Sequence, residues 1–334
     1  MKPLPRILAG LALVLALAPN GSAAQTISEL NEQMFQDMRA ARSVSAAEVA
    51  RIKEIFAGSS IIGQGNPAVT RHPMSPAECA AGLPGGIRYY DNARFEQICG
   101  DKYMAPLYDP RTQSASQATA CIDQFEYPNV PCTYPVVWVK TSEAAQICAA
   151  EGKRLCDAHE WEGACAGALE APDYRFDLAS GVSPSTAVAR MQAAHNAKYE
   201  PQRAWAYGAT YQPGVCAGGS FKNASCNGGS FSGCGSNTYP TGSFPGCTSP
   251  LKVYDLHGNA AEHMNLPLDS SQMSSLGSTT LGVTEMKGSW FIWDSIRAHP
   301  EWCRWRAPFW HGTSVMSSGS HANYHLGFRC CKSI

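Results

Sequence analysis

GKRLCDAHEWEGACAG, residues 152–167, is the stretch on which the fold turns. Gly152 stops a helix that Thr141 or Ser142 caps and that runs through Glu151. Asp157, followed three residues later by Glu160, is a capping box and predicts a second, short helix through Trp161 and Cys165. Cys156 then stands just before that helix and Cys165 in its last turn, where side-chain reach permits a disulfide, subject to geometry.

Upstream, YPVVWVK (134–140) predicts a short strand, and CIDQFEYPNVPC (121–132) a strand and turn. Farther back, Ile27, Leu30, Met34 and Met38 repeat at helical spacing. Ser45 with Glu48 forms another capping box, and Val49, Ile52, Ile55 and Phe56 form an apolar stripe that ends at Gly58. This predicts a helical pair over 26–57 that packs on the main domain or, in a sharper alternative, docks a partner. Residues 59–78 read as loop, and the cysteine-bearing domain starts near Cys79.

Downstream, residues 207–250 are rich in Gly, Ser, Asn and Cys and lack apolar periodicity. Cys216, Cys226, Cys234 and Cys247 predict an ordered but irregular loop region. From Lys287 the chain is strongly aromatic. Trp290, Phe291, Trp293, Trp302, Trp305, Phe309 and Trp310 crowd together with His299, His311, His321 and His325. They read equally as a rigid core beneath loops or as an aromatic-lined pocket.

Lys2 and Arg6, the apolar run Ile7–Ala18 and the small residues Ser22-Ala23-Ala24 read as an export signal over 1–24. No other stretch is apolar and long enough to span a bilayer. Cleavage leaves 24 Lys+Arg against 27 Asp+Glu, a net charge near −3, with no basic block for nucleic acid. All 14 Cys lie beyond the signal. In an exported chain without tight CxxC pairs they predict disulfides rather than zinc, and a periplasmic or extracellular home. The remaining length suits a helical lead and linker (25–78) followed by one large domain (79–334). HExxH, GxSxG and a phosphate-binding glycine loop are all missing.

GKRLCDAHEWEGACAG, VYDLHGNAAEH (253–263) and LGFRCC (326–331), in this order, resemble the formylglycine-generating-enzyme family of sulfatase-modifying factors. The resemblance covers roughly residues 79–334. It implies an irregular α+β domain of C-type-lectin-like topology with little regular secondary structure and several disulfides. Short strands, a few helices and long cysteine-tied loops, read from the residues alone, agree with it. It supports a Cys156–Cys165 disulfide, because exported members often carry Cys at these positions. It also makes Arg154, Glu160 and Trp161 packing and buried hydrogen-bonding residues; a catalytic role for His159 or Glu160 is the weaker reading.

The family's turn matching 255–262 binds calcium. The resemblance therefore implies ligation by the carboxylates of Asp255 and Glu262 and the carbonyls of Gly258 and Ala260, the oxygen set a hard cation takes. The alternative is a metal-free turn held by Asp255 and Asn259 side chains. Copper-dependent members place two Cys after a Gly-Gly-Ser strand, where soft thiolates bind Cu(I). Here Ser289 matches, the first Cys position falls at or near Ile292, and Cys303 resembles the second Cys after an insertion. One thiolate does not make that site, so copper is not expected. Cys303 is expected in a disulfide, with Cys330 or Cys331 as candidate partners. Candidates for a catalytic cleft are Ser289, Trp290, Cys303, Arg304 as a carboxylate holder and His311 as acid or base.

Three functional readings follow. The leading one is an exported oxidase-like or maturation factor, acting on an exported protein or small molecule without the copper pair. The second is a non-catalytic ligand-binding module, including the retroelement-diversified display proteins that use the same lectin-like fold. The third is formylglycine generation on a sulfatase Cys, which requires two free thiols close together.

Overall fold

The structure, a computed structural model, describes residues 25–310 and 312–334. The export signal read over 1–24 and the candidate acid–base residue His311 lie outside the described residues.

Thr26 and Glu29 cap each other's backbone at the start of α1 (Ile27–Arg42), and Ser45 and Glu48 do the same for α2 (Ala46–Ala57). Met34, Met38, Ile52 and Phe56 meet Val130, Val139 and Ile147 in one cluster, so the helical pair packs on the body of the chain. Burying each such side chain contributes about 1.5–3 kcal/mol. A polar lock reinforces it. Arg42, buried at the end of α1, donates to the Pro128 carbonyl at 2.7 Å and pairs with Glu151, beside Lys153, Asp101 and Asp123.

Next come α3 (Pro76–Gly82), α4 (Ala93–Cys99), β1 (Met104–Leu107), β2 (Ala120–Asp123) and α5 (Thr141–Ala150). β3 (Arg154–Leu155) leads into α6 (Ala158–Ala166), then α7 (Phe176–Ala179) and α8 (Pro184–Tyr199). At α6, Glu160 reaches back to the Asp157 amide at 2.9 Å. The Asp157 carboxylate instead accepts from Asn265, Ser274 and Ser275, tying the helix start to the region beyond it. Residues 207–250 form neither helix nor strand and are tied by Cys216–Cys247 and Cys226–Cys234. The last elements are β4 (Ala261–Leu266), β5 (Val283–Lys287), β6 (Leu326–Phe328) and β7 (Cys330–Ser333).

One sheet is antiparallel in the order β1-β2-β7-β3. The other runs β5-β4-β6, with β4 antiparallel to β5 and parallel to β6. The main core cluster joins residues of β1, β2, α6, α8, β4 and β5. The result is a mixed α+β domain of irregular build. Among the described residues no helix is long and apolar enough to cross a membrane.

Three expectations need correction. YPVVWVK is not a strand: Val137 makes one bridge, to Gly63, and Trp138 adopts φ 57°. The segment is apolar because it is buried against β6, where Gly327 packs so close that a Cβ would come within 2.6 Å of the Val136 carbonyl. Cys156 and Cys165 are not bonded to each other. With α6 between them, roughly 12 Å of helical rise separates them, beyond the span of a disulfide. Cys156 bonds Cys331 and Cys165 bonds Cys303. Cys330 bonds Cys148, so neither C-terminal cysteine is the partner of Cys303. Cys79–Cys132 and Cys99–Cys121 complete the set, and no cysteine is free.

Candidate functional site: an aromatic cleft beside a buried carboxylate turn

The turn before β4 is strained by design: Asp255, Gly258 and Asn259 all have positive φ. Gly258 is required there, because a Cβ would meet the Ala217 backbone at 2.7 Å. Asn259 accepts from the Tyr239 amide at 2.8 Å and donates to Glu126 at 2.7 Å. Asp255 accepts from the Gly242 amide through Oδ2 at 2.6 Å, while its buried Oδ1 has no hydrogen-bond partner. Both Glu262 oxygens accept from Arg329 at 2.6 Å, and Trp161 Nε1 donates to Oε2 at 3.0 Å.

Glu126, Asp255 and Glu262 are thus three buried carboxylates around one guanidinium. Burial, with the Glu262 charge added, pushes Asp255 up to about 7. Burial and the charges of Asp255 and Glu262 hold Glu126 well above the usual carboxylate range. Three carboxylates, which one guanidinium cannot neutralise once all are ionised, and an open Asp255 oxygen suit a hard cation. Gly258 and Ala260 flank Asn259 on the same turn; Glu262 has both oxygens engaged by Arg329, and Asp255 has one engaged and one open. Glu126 was not foreseen. It sits within the CIDQFEYPNVPC segment, and no spacing marks it.

On the other side of the turn, Ser289 follows β5. Its hydroxyl accepts from the Gly258 amide at 2.8 Å and donates to Glu301. Glu301 also accepts from Trp205 Nε1 at 3.1 Å and faces His257 Nδ1 at 3.4 Å. These partners hold Glu301 below the usual carboxylate range against the burial that would raise it. His257 Nε2 accepts from the Ala206 amide at 3.1 Å, which places the ring proton on Nδ1, facing Glu301. His257 Nε2 also lies 3.3 Å from Cys165 Sγ and 3.8 Å from Cys303 Sγ.

Ser289 and Cys303 therefore meet around His257 and Glu301, with Cys303 as a disulfide sulfur and not a thiol. Ile292 is buried and offers no donor. Arg304 is elsewhere: it donates to the Ala168 carbonyl at 3.1 Å, approaches Glu170 and lies over the Tyr199 ring.

Ser289 also backs an open cleft of about 320 Å³. Its walls are Ala261 from β4, Met286 from β5, Trp290, His299, Trp310 and His325. Trp290 Nε1 donates to the Ile296 carbonyl at 3.2 Å, and its ring meets His325 at 4.5 Å. His299 stacks on Trp305 at 4.8 Å and donates from Nδ1 to the Pro300 carbonyl at 2.7 Å. Burial lowers its pKa, keeping the ring neutral. The aromatic segment thus divides: Phe291, Trp293, Trp302 and Trp305 are buried, while Trp290 and the half-exposed Trp310 form the cleft.

A profile of the Sulfatase-modifying factor enzyme 1-like domain matches residues 92–334. Comparison with curated proteins finds no match. Among solved structures, PvdO from Pseudomonas aeruginosa is similar at 14% identity over 69% of this chain and 91% of that chain, with a TM-score of 0.30.

Proposed function

This chain belongs to the sulfatase-modifying factor enzyme 1-like family, and we propose that it is an exported oxidase or maturation factor of the cell envelope that works without the family's copper thiols. Its substrate is an exported protein or small molecule, and the apolar, aromatic part of that substrate enters the cleft of Trp290, His299 and Trp310. The observation that carries this reading is the pairing of every cysteine while the cleft beside Ser289 stays open. Two-thiolate Cu(I) binding needs free sulfur.

Seven disulfides support a periplasmic or extracellular setting, because reducing compartments keep thiols open. The lectin-like topology that the family implies belongs to this reading and is supported by two small sheets joined by long, disulfide-tied loops. So does calcium at the Asp255 turn, held by Asp255, the Gly258 and Ala260 carbonyls and Glu262. Bound there, it neutralises carboxylate charge and stiffens the turn that carries Ser289 through the Gly258 amide. Ser289 and Glu301 hold a proton at the cleft wall and link it to His257.

The test compares exported products of a strain lacking the chain, one carrying it and one carrying Trp290→Ala, by untargeted mass spectrometry. The proposal expects a precursor that differs from its product by two hydrogens or one oxygen to accumulate in the first and third strains. Identical products in all three, with a ligand bound at the cleft, would favour the binding-module reading that the same cleft permits.

A further inference from the structure

Among the described residues the polar side chains of the cleft are Ser289, Trp290, His299 and His325, the last packed between Trp290 and Tyr324. Ser289 Oγ is engaged on both sides, by the Gly258 amide and by Glu301. Trp290 Nε1 is bound to the Ile296 carbonyl. His299 is different: Nδ1–H is fixed on the Pro300 carbonyl, so in the neutral ring Nε2 carries the lone pair and no proton. The ring is pinned between Trp305, parallel at 4.8 Å, and the tilted rings of Trp293 and Trp310 at 4.7 and 5.3 Å. Among the described residues no Asp, Glu, Lys or Arg lines the cavity.

Resting on the reading of this cleft as the substrate site, we infer that its guest is a neutral aromatic ring bearing one hydrogen-bond donor, a phenol or an indole, whose O–H or N–H donates to His299 Nε2. Imidazole and indole rings stack or meet edge to face with such a guest, and the volume of about 320 Å³ fits one such group. A carboxylate or phosphate would enter with no cation to meet it, and an ammonium with no acid. An aromatic hydrocarbon fills the same space but leaves the His299 nitrogen without a donor once water is expelled. The acceptor therefore sets specificity, in the way a buried polar group rejects an analogue that lacks its partner.

Fluorine NMR titrations of the mature protein with para-fluorophenol, para-fluorotoluene and para-fluorobenzoate test this. The phenol is expected to bind about threefold to tenfold more tightly than the toluene, the range one net hydrogen bond gives, with the benzoate weakest. His299→Phe is expected to remove the phenol's advantage while the toluene still binds, and His299→Gln, which keeps an acceptor, to restore part of it. Equal affinity for phenol and toluene, or preference for the benzoate, overturns the donor assignment and leaves the cleft as a substrate site. Binding of none of the three, or binding that Trp290→Ala leaves unchanged, overturns the reading of the cleft itself.

Discussion

Arg329 grips Glu262 with two parallel bonds, Nε to Oε2 and Nη2 to Oε1, each 2.6 Å, and both side chains are buried. The same guanidinium donates to the carbonyls of Asp123, Gln124 and Tyr254. One residue between β6 and β7 therefore ties both sheets to the carboxylate turn.

Arg329→Met is expected to cost on the order of 3–5 kcal/mol, the penalty of leaving one partner of a buried pair unmatched. Urea denaturation should show a lowered midpoint, and Arg329→Lys should recover only part of it, because an ammonium cannot make the paired contact. An unchanged midpoint would mean that the pair does not anchor the sheets.

Calcium in excess is expected to raise the thermal midpoint, by about 2.7 kcal/mol of stability at a hundredfold excess over Kd. Chelator should reverse the effect. In Asp255→Asn the midpoint should ignore calcium; a retained response would remove Asp255 from the ligand set.

Native protein treated with a thiol-alkylating reagent is expected to take up none, and after denaturation and reduction to take up 14 groups, one for each cysteine. Two groups on the native protein, at Cys165 and Cys303, would return the copper reading to first place.

His72 stacks on Tyr134 at 3.5 Å and donates to the Thr238 carbonyl, and burial lowers its pKa from 6.5 to about 4. The folded state then binds fewer protons than the unfolded state between these values. Its contribution is complete above pH 6.5 and is lost as pH falls toward 4, about 3 kcal/mol in all. Denaturation midpoints across this window should slope downward toward acid, and His72→Phe should flatten the slope.

The helical pair, the capping boxes at Ser45 and Asp157 and the disulfide-tied region after residue 207 were legible because each rests on local chemistry. α8 was not. Its buried positions are Ala187, Val188, Met191, His195 and Tyr199, a face too small and too polar to show an apolar stripe. The pairing of Cys165 with Cys303 was also out of reach, because their 138-residue separation is closed by tertiary packing. At the site, Ser289, Trp290 and the Asp255 turn could be named from their motifs. Glu126, Glu301 and His257 could not, since Glu126 reaches the turn, and Glu301 reaches His257, only through tertiary packing.

β7 lies between β2 and β3, and its cysteines close disulfides to residues 182 and 175 positions earlier. A ribosome or secretion channel that threads the chain N-terminus first thus delivers the central strand of the sheet long after both neighbours. Until it arrives, β2 and β3 expose unpaired edges, and Cys148 and Cys156 are near enough in sequence to oxidise onto each other. Maturation of this chain should therefore depend on disulfide isomerase and on chaperones that shield strand edges. Its yield in a host lacking that isomerase should fall further than that of an exported protein whose disulfides join neighbours in sequence.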